Sequence, residues 1–465
     1  MTSFSLAAHV LGRGRARPDH PALIVPGVTD WSHGDLLAAV EARAGGLAAR
    51  GLRPGARVLL RLGNDADFPV TFLAACAAGL VPVPTSAVLT EGEIAKMAVP
   101  LAPALVVAAP GIAVPPGVPV VAAGELDATP LAFVDWARGA EDRPAYIVFT
   151  SGSGGAPKAV VHAHRAIRAR DLMRAGWDGI GPQDRVLHAG AFNWTYTLGT
   201  GLMDPWSQGA TAIVPPPGTE AADLPALAAA QGATILAAVP GVFRRMLRAG
   251  MPPLPALRHG LSAGERLPPA LRAAWREATG TDLHEALGMT ECSTFVSSSP
   301  ERPAPEGSVG HVQPGRHARV EAGRLQVRTD DPGLMLGYWS GDGPEPVTGG
   351  WFDTGDRVAI DAGGAIRHEG RADDLLNPGG HRVSPQEVEA ALAGLPVADL
   401  AVGQVEVAGG AVVLAAYYVG DPLDEAQAHA FATERLAEWK RPRMWLRRDA
   451  LPRNPNGKLK RRDLR

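Results

Sequence analysis

Cysteine is nearly absent from this 465-residue chain, with Cys76 and Cys292 the only two. They are too few and too far apart for a disulfide framework or a cysteine-based zinc site, and a reducing, cytoplasmic setting is expected. Strong charge of one sign is missing too: the formal net charge of −3 gives no general attraction to nucleic acid or to anionic membranes. The first residues lack a basic segment followed by a sustained apolar core, so no signal peptide is expected. An uninterrupted apolar run is also wanting. The uncharged stretch Ala98 to Gly124 is long enough to suggest a membrane span, but Pro100, Pro103, Pro110, Pro115, Pro116 and Pro119 break it, and prolines that dense forbid one continuous helix. What is present is ordinary for a soluble globular chain, at 46% hydrophobic and 20% charged residues. The 55 glycines and 42 prolines follow no period and indicate many loops between short elements. A chain of this length corresponds to roughly two to four domains with at least one large core.

The order of apolar segments predicts an α/β fold. Helical spacing runs over Asp35 to Leu52 and Phe68 to Gly79, and short extended runs cover Arg57 to Leu62 and Val81 to Pro84. The alternation continues through Ala104 to Ala109, Val118 to Ala122, Ala145 to Phe149, Ala210 to Val214 and Ala233 to Val239, with a helix over Pro269 to Thr279. From about Gly307 the texture changes to short β-like pieces, among them Arg324 to Arg328 and Arg357 to Ile360, which predicts a β-rich subdomain. After the glycine-led, charged segment Gly370 to Asp374 comes a small α+β unit, with a helix at Pro385 to Ala393 and a strand at Ala411 to Val419. The boundary is therefore placed between a large domain, 1–370, and a small one, 371–465.

Four motifs carry chemistry. The strand ending at Phe149 feeds into Thr150-Ser151-Gly152-Ser153-Gly154-Gly155-Ala156-Pro157-Lys158. Glycines let backbone N–H groups approach a polyphosphate, hydroxyls add donors and the lysine adds charge. The spacing is not that of a Walker A loop. A Gly/Ser loop alone is equally a surface turn, and it is the strand before it and Pro157-Lys158 after it that point to phosphate. Second, Leu287-Gly288-Met289-Thr290-Glu291 offers a carboxylate to a hard cation, although a lone Thr-Glu pair is more often a helix cap. Upstream, Ser262-Ala263-Gly264-Glu265 is by itself only a small-residue turn. Third, Trp351-Phe352-Asp353-Thr354-Gly355-Asp356 and Gly370-Arg371-Ala372-Asp373 bring a carboxylate and a guanidinium. Taken singly they are a hairpin turn and a surface ion pair. Fourth, a basic tail from Lys440 contains Pro455-Asn456-Gly457-Lys458, which on its own is a solvated or nucleic-acid-attracting segment. Phe192, Trp194 and Tyr196 alternate as core aromatics commonly do. His162 and His164, with no further ligand in register, predict a satisfied pair at a helix start in preference to a metal site.

Together and in this order, the motifs resemble the adenylate-forming superfamily of acyl-CoA synthetases, aryl-CoA ligases, luciferases and peptide-synthetase adenylation domains, from about Trp31 to the C-terminus. The resemblance implies that Thr150, Ser151, Gly152, Ser153, Gly154, Gly155 and Lys158 hold the triphosphate of ATP. It puts Ala263, Gly264 and Glu265 at the adenine, Thr290 on the α-phosphate beside Gly288 and Met289, and Glu291 on Mg²⁺. Asp356 and Arg371 would take the ribose. Lys458 would bridge the attacking carboxylate and the α-phosphate, Asp373 would be the hinge of a mobile C-terminal domain, and Phe192, Trp194, Tyr196, Val239 and Pro240 would line an acyl pocket for a compact aromatic or short aliphatic acid. In the second step Gly379-Gly380 would face a thiol channel. The chain departs from the family pattern at Gly154, where threonine is usual, at Ala159, where glycine is usual, and at Leu287, which stands in an aromatic place. The lost hydroxyl predicts weaker nucleotide binding. The implied reaction forms acyl-AMP and transfers the acyl group to coenzyme A, with no nucleic-acid or membrane partner and with a homodimer as the implied assembly. Two other readings stay open: loading of a carrier-protein phosphopantetheine, and a degenerate nucleotide- or acyl-binding protein without catalysis.

Overall fold

In this computed structural model the described residues are 3–150, 157–371, 376, 383–407, 411–453 and 459–464. They fall into two compact units, one of Met1–Ala318 with Val327–Phe352 and one of Arg319–Gln326 with Asp353–Arg465. The division by compactness thus falls earlier than the boundary expected at 370/371. Among the described residues no helix is long and apolar enough to cross a membrane.

The first unit carries strands β1 (Pro21–Val25), β2 (Thr29–Ser32), β3 (Arg57–Arg61), β4 (Val81–Pro84), β5 (Leu105–Ala108), β6 (Val120–Val121), β7 (Pro144–Thr150) and β8 (Lys158–Ala163). It continues with β9 (Arg185–His188), β10 (Thr211–Ile213), β11 (Ile235–Ala238), β12 (His259–Ala263), β13 (Asp282–Met289), β14 (Ser293–Ser297) and β15 (His311–Val312). The expected strand at Ala104 to Ala109 and the helix Pro269–Thr279 are both found. The helix His33–Ala49 starts where the residues dictate. Ser32 accepts from the Asp35 amide while Asp35 returns a bond to the Ser32 amide, satisfying donors that a helix start leaves orphaned.

The largest sheet has nine strands in the order β15-β14-β13-β12-β11-β9-β10-β1-β2. Its central run from β13 to β1 is parallel throughout. Such strands are buried on both faces, which is why Leu187, Ile235, Leu236 and Leu261 sit at 0% exposure. The chain leaves β9 for β10 on one side, whereas β11, on the other side of β9, leads away to β12. In an open parallel sheet such a reversal opens a crevice at the carboxyl ends of the two adjoining strands. Here those ends are His188 and Ala238.

The second unit begins with β16 (Ala318–Glu321), β17 (Arg324–Arg328), β20 (Trp351–Ile360) and β21 (Ile366–Arg371), arranged in that order as a four-stranded sheet. The intervening β18 (Gly337–Ser340) and β19 (Gly343–Pro346) belong instead with β8 and β7, in the order β19-β18-β8-β7. A three-stranded sheet of β22 (Asp399–Val407), β23 (Ala411–Val419) and β24 (Met444–Arg447) completes the chain, with the helices Pro385–Ala391 and Glu425–Arg435. The expected α/β fold, β-rich region and small α+β C-terminal part are all present.

Candidate functional site

In the first unit the parallel strands bring four sequence-distant segments to one edge. His188 ends β9, Val239-Pro240 follow β11, Gly264 follows β12, and Thr290-Glu291 follow β13. Thr290-Glu291 is therefore no helix cap but the turn of the β13–β14 hairpin, which pairs Gly288 with Thr294 and Met289 with Ser293. A Cβ on Gly288 would stand 2.4 Å from the Ser293 carbonyl oxygen, so glycine is what lets the two strands close this tightly. Glu291 is only 6% exposed. Its Oε1 accepts a hydrogen bond of 2.8 Å from the Tyr338 hydroxyl.

The antiparallel strands β7 and β8 pair Thr150 with Lys158. Ser151, Gly152, Ser153, Gly154 and Gly155 lie outside the described residues, as do Asp373, Gly379, Gly380 and Lys458. Lys158 is exposed, with its Nζ 4.7 Å from the centre of the Tyr338 ring, a cation–π contact. Tyr338 is in turn fixed by β18 pairing with β8, opposite Val160. One tyrosine thus touches both the lysine that closes the loop and the carboxylate of the hairpin turn. It escaped the sequence reading because a tyrosine two residues into a short strand carries no spacing signal.

His162 makes a second link between β8 and the β13–β14 turn. Its Nε2 lies 2.8 Å from the Thr290 carbonyl oxygen, so Nε2 carries the proton, and its ring stacks on Tyr146 at 4.7 Å. Burial pulls its pKa down to about 4, which keeps the imidazole neutral near pH 7. The expected helix-start pair is therefore corrected for this residue: His162 is within strand β8, where pairing with β7 overrides the nearby helix signal. His164 accepts a bond of 3.0 Å from the Leu6 amide.

Of the acyl-pocket candidates, Trp194 is half-buried and its indole edge lies against Gly264: a Cβ there, at φ +92°, would meet Trp194 Cη2 at 2.5 Å. Val239 is 8% exposed, and Pro240 opens the helix Pro240–Ala249. Ala263 ends β12 at 2% exposure, and Glu265 is half-buried just beyond it. Tyr196 is buried with its hydroxyl donating to the Leu261 carbonyl at 2.8 Å, and its ring meets Trp194 edge-on at 5.3 Å. Phe192 packs on Phe68, centroids 5.0 Å apart, in the apolar core of the unit.

In the second unit Asp356 and Arg371 are direct cross-strand partners on β20 and β21. The guanidinium donates to the Thr354 carbonyl at 3.1 Å and stands 3.9 Å from Asp356 Oδ1. His368, which the motifs did not reveal, lies 3.1 Å from the same oxygen. Burial works to raise the Asp356 pKa, but the His368 bond and the nearby charges outweigh it and hold the carboxyl below its ordinary range. An ionised, acceptor-only carboxylate results, suited to receiving hydroxyl donors.

This architecture is that of the adenylate-forming enzymes. A family model described as AMP-binding enzyme matches residues 12–339, and the chain belongs to that family. A 3-hydroxybenzoate–CoA/4-hydroxybenzoate–CoA ligase from Thauera aromatica is 33% identical over 349 residues, covering 70% of this chain and 66% of that protein. A 3-hydroxybenzoate–CoA ligase from Aromatoleum sp. (strain CIB) is 28% identical over 492 aligned positions, covering 96% and 93%. A benzoate CoA ligase from Burkholderia xenovorans LB400 has a similar structure, with a TM-score of 0.88, 28% identity, and coverage of 99% of this chain and 100% of that one.

Proposed function

We propose that the protein is an AMP-forming acid–thiol ligase that activates an aromatic carboxylic acid with ATP and transfers the acyl group to coenzyme A. The observation that carries this reading is the carboxyl ends of the parallel strands, where Trp194 and Val239 pack against Gly264 just after β12 and a hydroxyl–carboxylate pair (Thr290, Glu291) follows the neighbouring β13. In the first step a carboxylate oxygen of the acid attacks the α-phosphorus, the bond to the β-phosphate oxygen breaks, and pyrophosphate leaves. In the second a thiolate attacks the acyl carbon and AMP departs.

Thr290 donates to the α-phosphate, Lys158 and the loop Thr150 to Gly155 neutralise the leaving phosphates, and Lys458 steadies the two approaching anions. Asp356 and Arg371 orient the ribose. Residues 371–465 act as a lid turning at Asp373 between the steps. Glu291 suits Mg²⁺. Its Oε2 takes no hydrogen bond from the described residues, and Mg²⁺ is characteristically held by one or two carboxylates together with substrate phosphates. When bound, the ion supplies charge neutralisation to the triphosphate. Both cysteines are buried, and their scarcity suits a reducing cytoplasm.

The test is pyrophosphate release over a panel of aromatic and short aliphatic acids, with and without coenzyme A. Aromatic acids are expected to release pyrophosphate, and thioester is expected to accumulate only when coenzyme A is added. ATP binding in a calorimeter with no release from any acid would instead support a degenerate binding protein. Release without thioester on coenzyme A, but with transfer to a phosphopantetheinylated carrier, would move the acceptor to the carrier.

Tyr338→Phe tests the role of Tyr338. The variant keeps the ring beneath Lys158 and removes only the hydroxyl that orients Glu291. Groups that orient a metal-binding carboxylate typically matter about 10-fold or more in metal affinity. The Mg²⁺ concentration for half-maximal pyrophosphate release is expected to rise roughly 10-fold, while stability changes by no more than about 1.5 kcal/mol. An unchanged Mg²⁺ profile would make Tyr338 a packing residue only.

A further inference from the structure

The turn that carries Thr290 and Glu291 is held by groups from other segments. His162 donates to the Thr290 carbonyl, the Met335 amide donates to the Glu291 carbonyl at 2.7 Å, and Arg316 donates to the carbonyls of Cys292 and Thr294. Ser293 is held through its side chain instead: Arg170 Nη1 donates to its hydroxyl. Ser293 is also the residue at φ +58°, a left-handed conformation that a residue with a Cβ keeps only when its surroundings impose it. Arg170 stands in the helix Ala166–Met173 at 4% exposure, and Asp204, which opens the helix Asp204–Ser207, is equally buried. Nε and Nη2 of Arg170 reach the two carboxylate oxygens of Asp204 at 2.6 Å each, and Nη2 also donates to Thr200 Oγ1 at 3.2 Å. The guanidinium lies close against Gly199, where a Cβ would come within 1.8 Å of Arg170 Cζ. Gly199 opens a π-helical turn, Gly199–Met203, a rare form that is frequent at functional sites.

We propose that Arg170 is a positioning residue: oriented by Asp204, it fixes Ser293 in its left-handed conformation and so aims Thr290 and Glu291 at the α-phosphate and its Mg²⁺. This rests on the activity proposed above and extends it to residues that touch neither substrate nor metal. A buried ion pair is a poor source of stability, since well-packed apolar residues of similar volume often serve as well or better. Its use here is geometric. A planar guanidinium gripped on two nitrogens by one carboxylate has a single orientation, and that orientation directs Nη1 at Ser293. Ser293 is the first residue of β14 and pairs with Met289, the last residue of β13. A change in its φ therefore re-aims Thr290, Glu291 and Cys292, which lie between the two. Without the tether Ser293 is free to relax toward a right-handed φ, and the carboxylate of Glu291 leaves the place in which it meets the metal.

The experiment follows Mg²⁺ dependence in two ways on the full-length protein: ATP binding by calorimetry and acid-dependent pyrophosphate release, each over a series of Mg²⁺ concentrations. Ser293→Ala removes the tether and leaves Arg170 paired with Asp204. Arg170→Met combined with Asp204→Leu removes the tether without leaving a buried charge unpaired. In both proteins the Mg²⁺ midpoint is expected to rise roughly 10-fold by either measurement, while KM for the acid stays within about twofold. A purely structural contribution would lower the amount of active protein, and with it the rate, but leave the Mg²⁺ midpoint in place. An unmoved midpoint in Ser293→Ala would therefore overturn the inference. A midpoint that rises in Ser293→Ala but not in the folded double variant would overturn it too, because the hydroxyl would then act without Arg170. Where the double variant does not fold, Ser293→Ala decides alone. If the unaltered protein releases no pyrophosphate with any acid, yet Ser293→Ala shifts the Mg²⁺ dependence of ATP binding, the proposed activity falls and the positioning of Glu291 stands.

Discussion

Lys458→Ala is expected to lower acid-dependent ATP–pyrophosphate exchange by at least about 10²- to 10³-fold, the usual loss when one preorganised charge-stabilising group is removed. In the same variant, thioester formation from a supplied acyl-adenylate should stay close to that of the unaltered protein. The reason is electrostatic. In the first step a carboxylate must approach a phosphate that is already anionic, and a fixed ammonium between them offsets repulsion that water would otherwise screen. In the second step the attack is on an acyl carbon, the phosphate departs with AMP, and the ammonium has no anion pair to bridge. Measuring the two half-reactions separately decides the matter. Equal loss in both would mean that Lys458 serves folding or nucleotide retention and not the adenylation step.

The second large effect is on stability. Arg316 and Asp331 are both fully buried, with Arg316 Nε and Nη2 directed at the carboxylate at 2.8 to 3.1 Å. The same guanidinium donates to the carbonyls of Thr294 at 2.6 Å and Cys292 at 3.0 Å, and Asp331 also accepts from the amides of His317 and Gly333. The pair thus fastens the far side of the Thr290-Glu291 turn to the segment that leads into Tyr338. Arg316→Met would leave a carboxylate buried without its cation, a change that typically costs about 3–5 kcal/mol. Chemical unfolding should show a loss of that size, accompanied by weaker acid-dependent pyrophosphate release because the turn is no longer held. A loss below about 1 kcal/mol would show that Asp331 is adequately served by its backbone donors, with the turn fastened by other contacts. Ser293 shows how demanding this turn is. It adopts φ +58°, a left-handed conformation unusual for serine, and its hydroxyl is held by Arg170.

Much of this was legible in the residues. The strand and the closing lysine that flank the Gly/Ser segment are β7 and the first residue of β8, with Thr150 opposite Lys158. Asp356 and Arg371 were singled out by their motifs and are cross-strand partners. Local sequence carries such features because turn chemistry and apolar periodicity act over a few residues. The same short range explains the failures. A Thr-Glu pair suggests a helix cap until antiparallel pairing with β14 makes it a hairpin turn, and His162 reads as a helix-start residue until β7 claims it for a strand.

The sequence by itself therefore determined the kinds of element, their order, and the chemical groups available for binding nucleotide and acid. Only the tertiary structure decided which strands lie side by side, and with that which groups meet. Tyr338 reaches Glu291 across 47 positions, His162 reaches Thr290 across 128, and β9, which ends at His188, lies between β10 on one side and β11 on the other. The physical reason is that strand order is set by burying both faces of the parallel sheet at once, a condition on the whole unit that no window of residues contains.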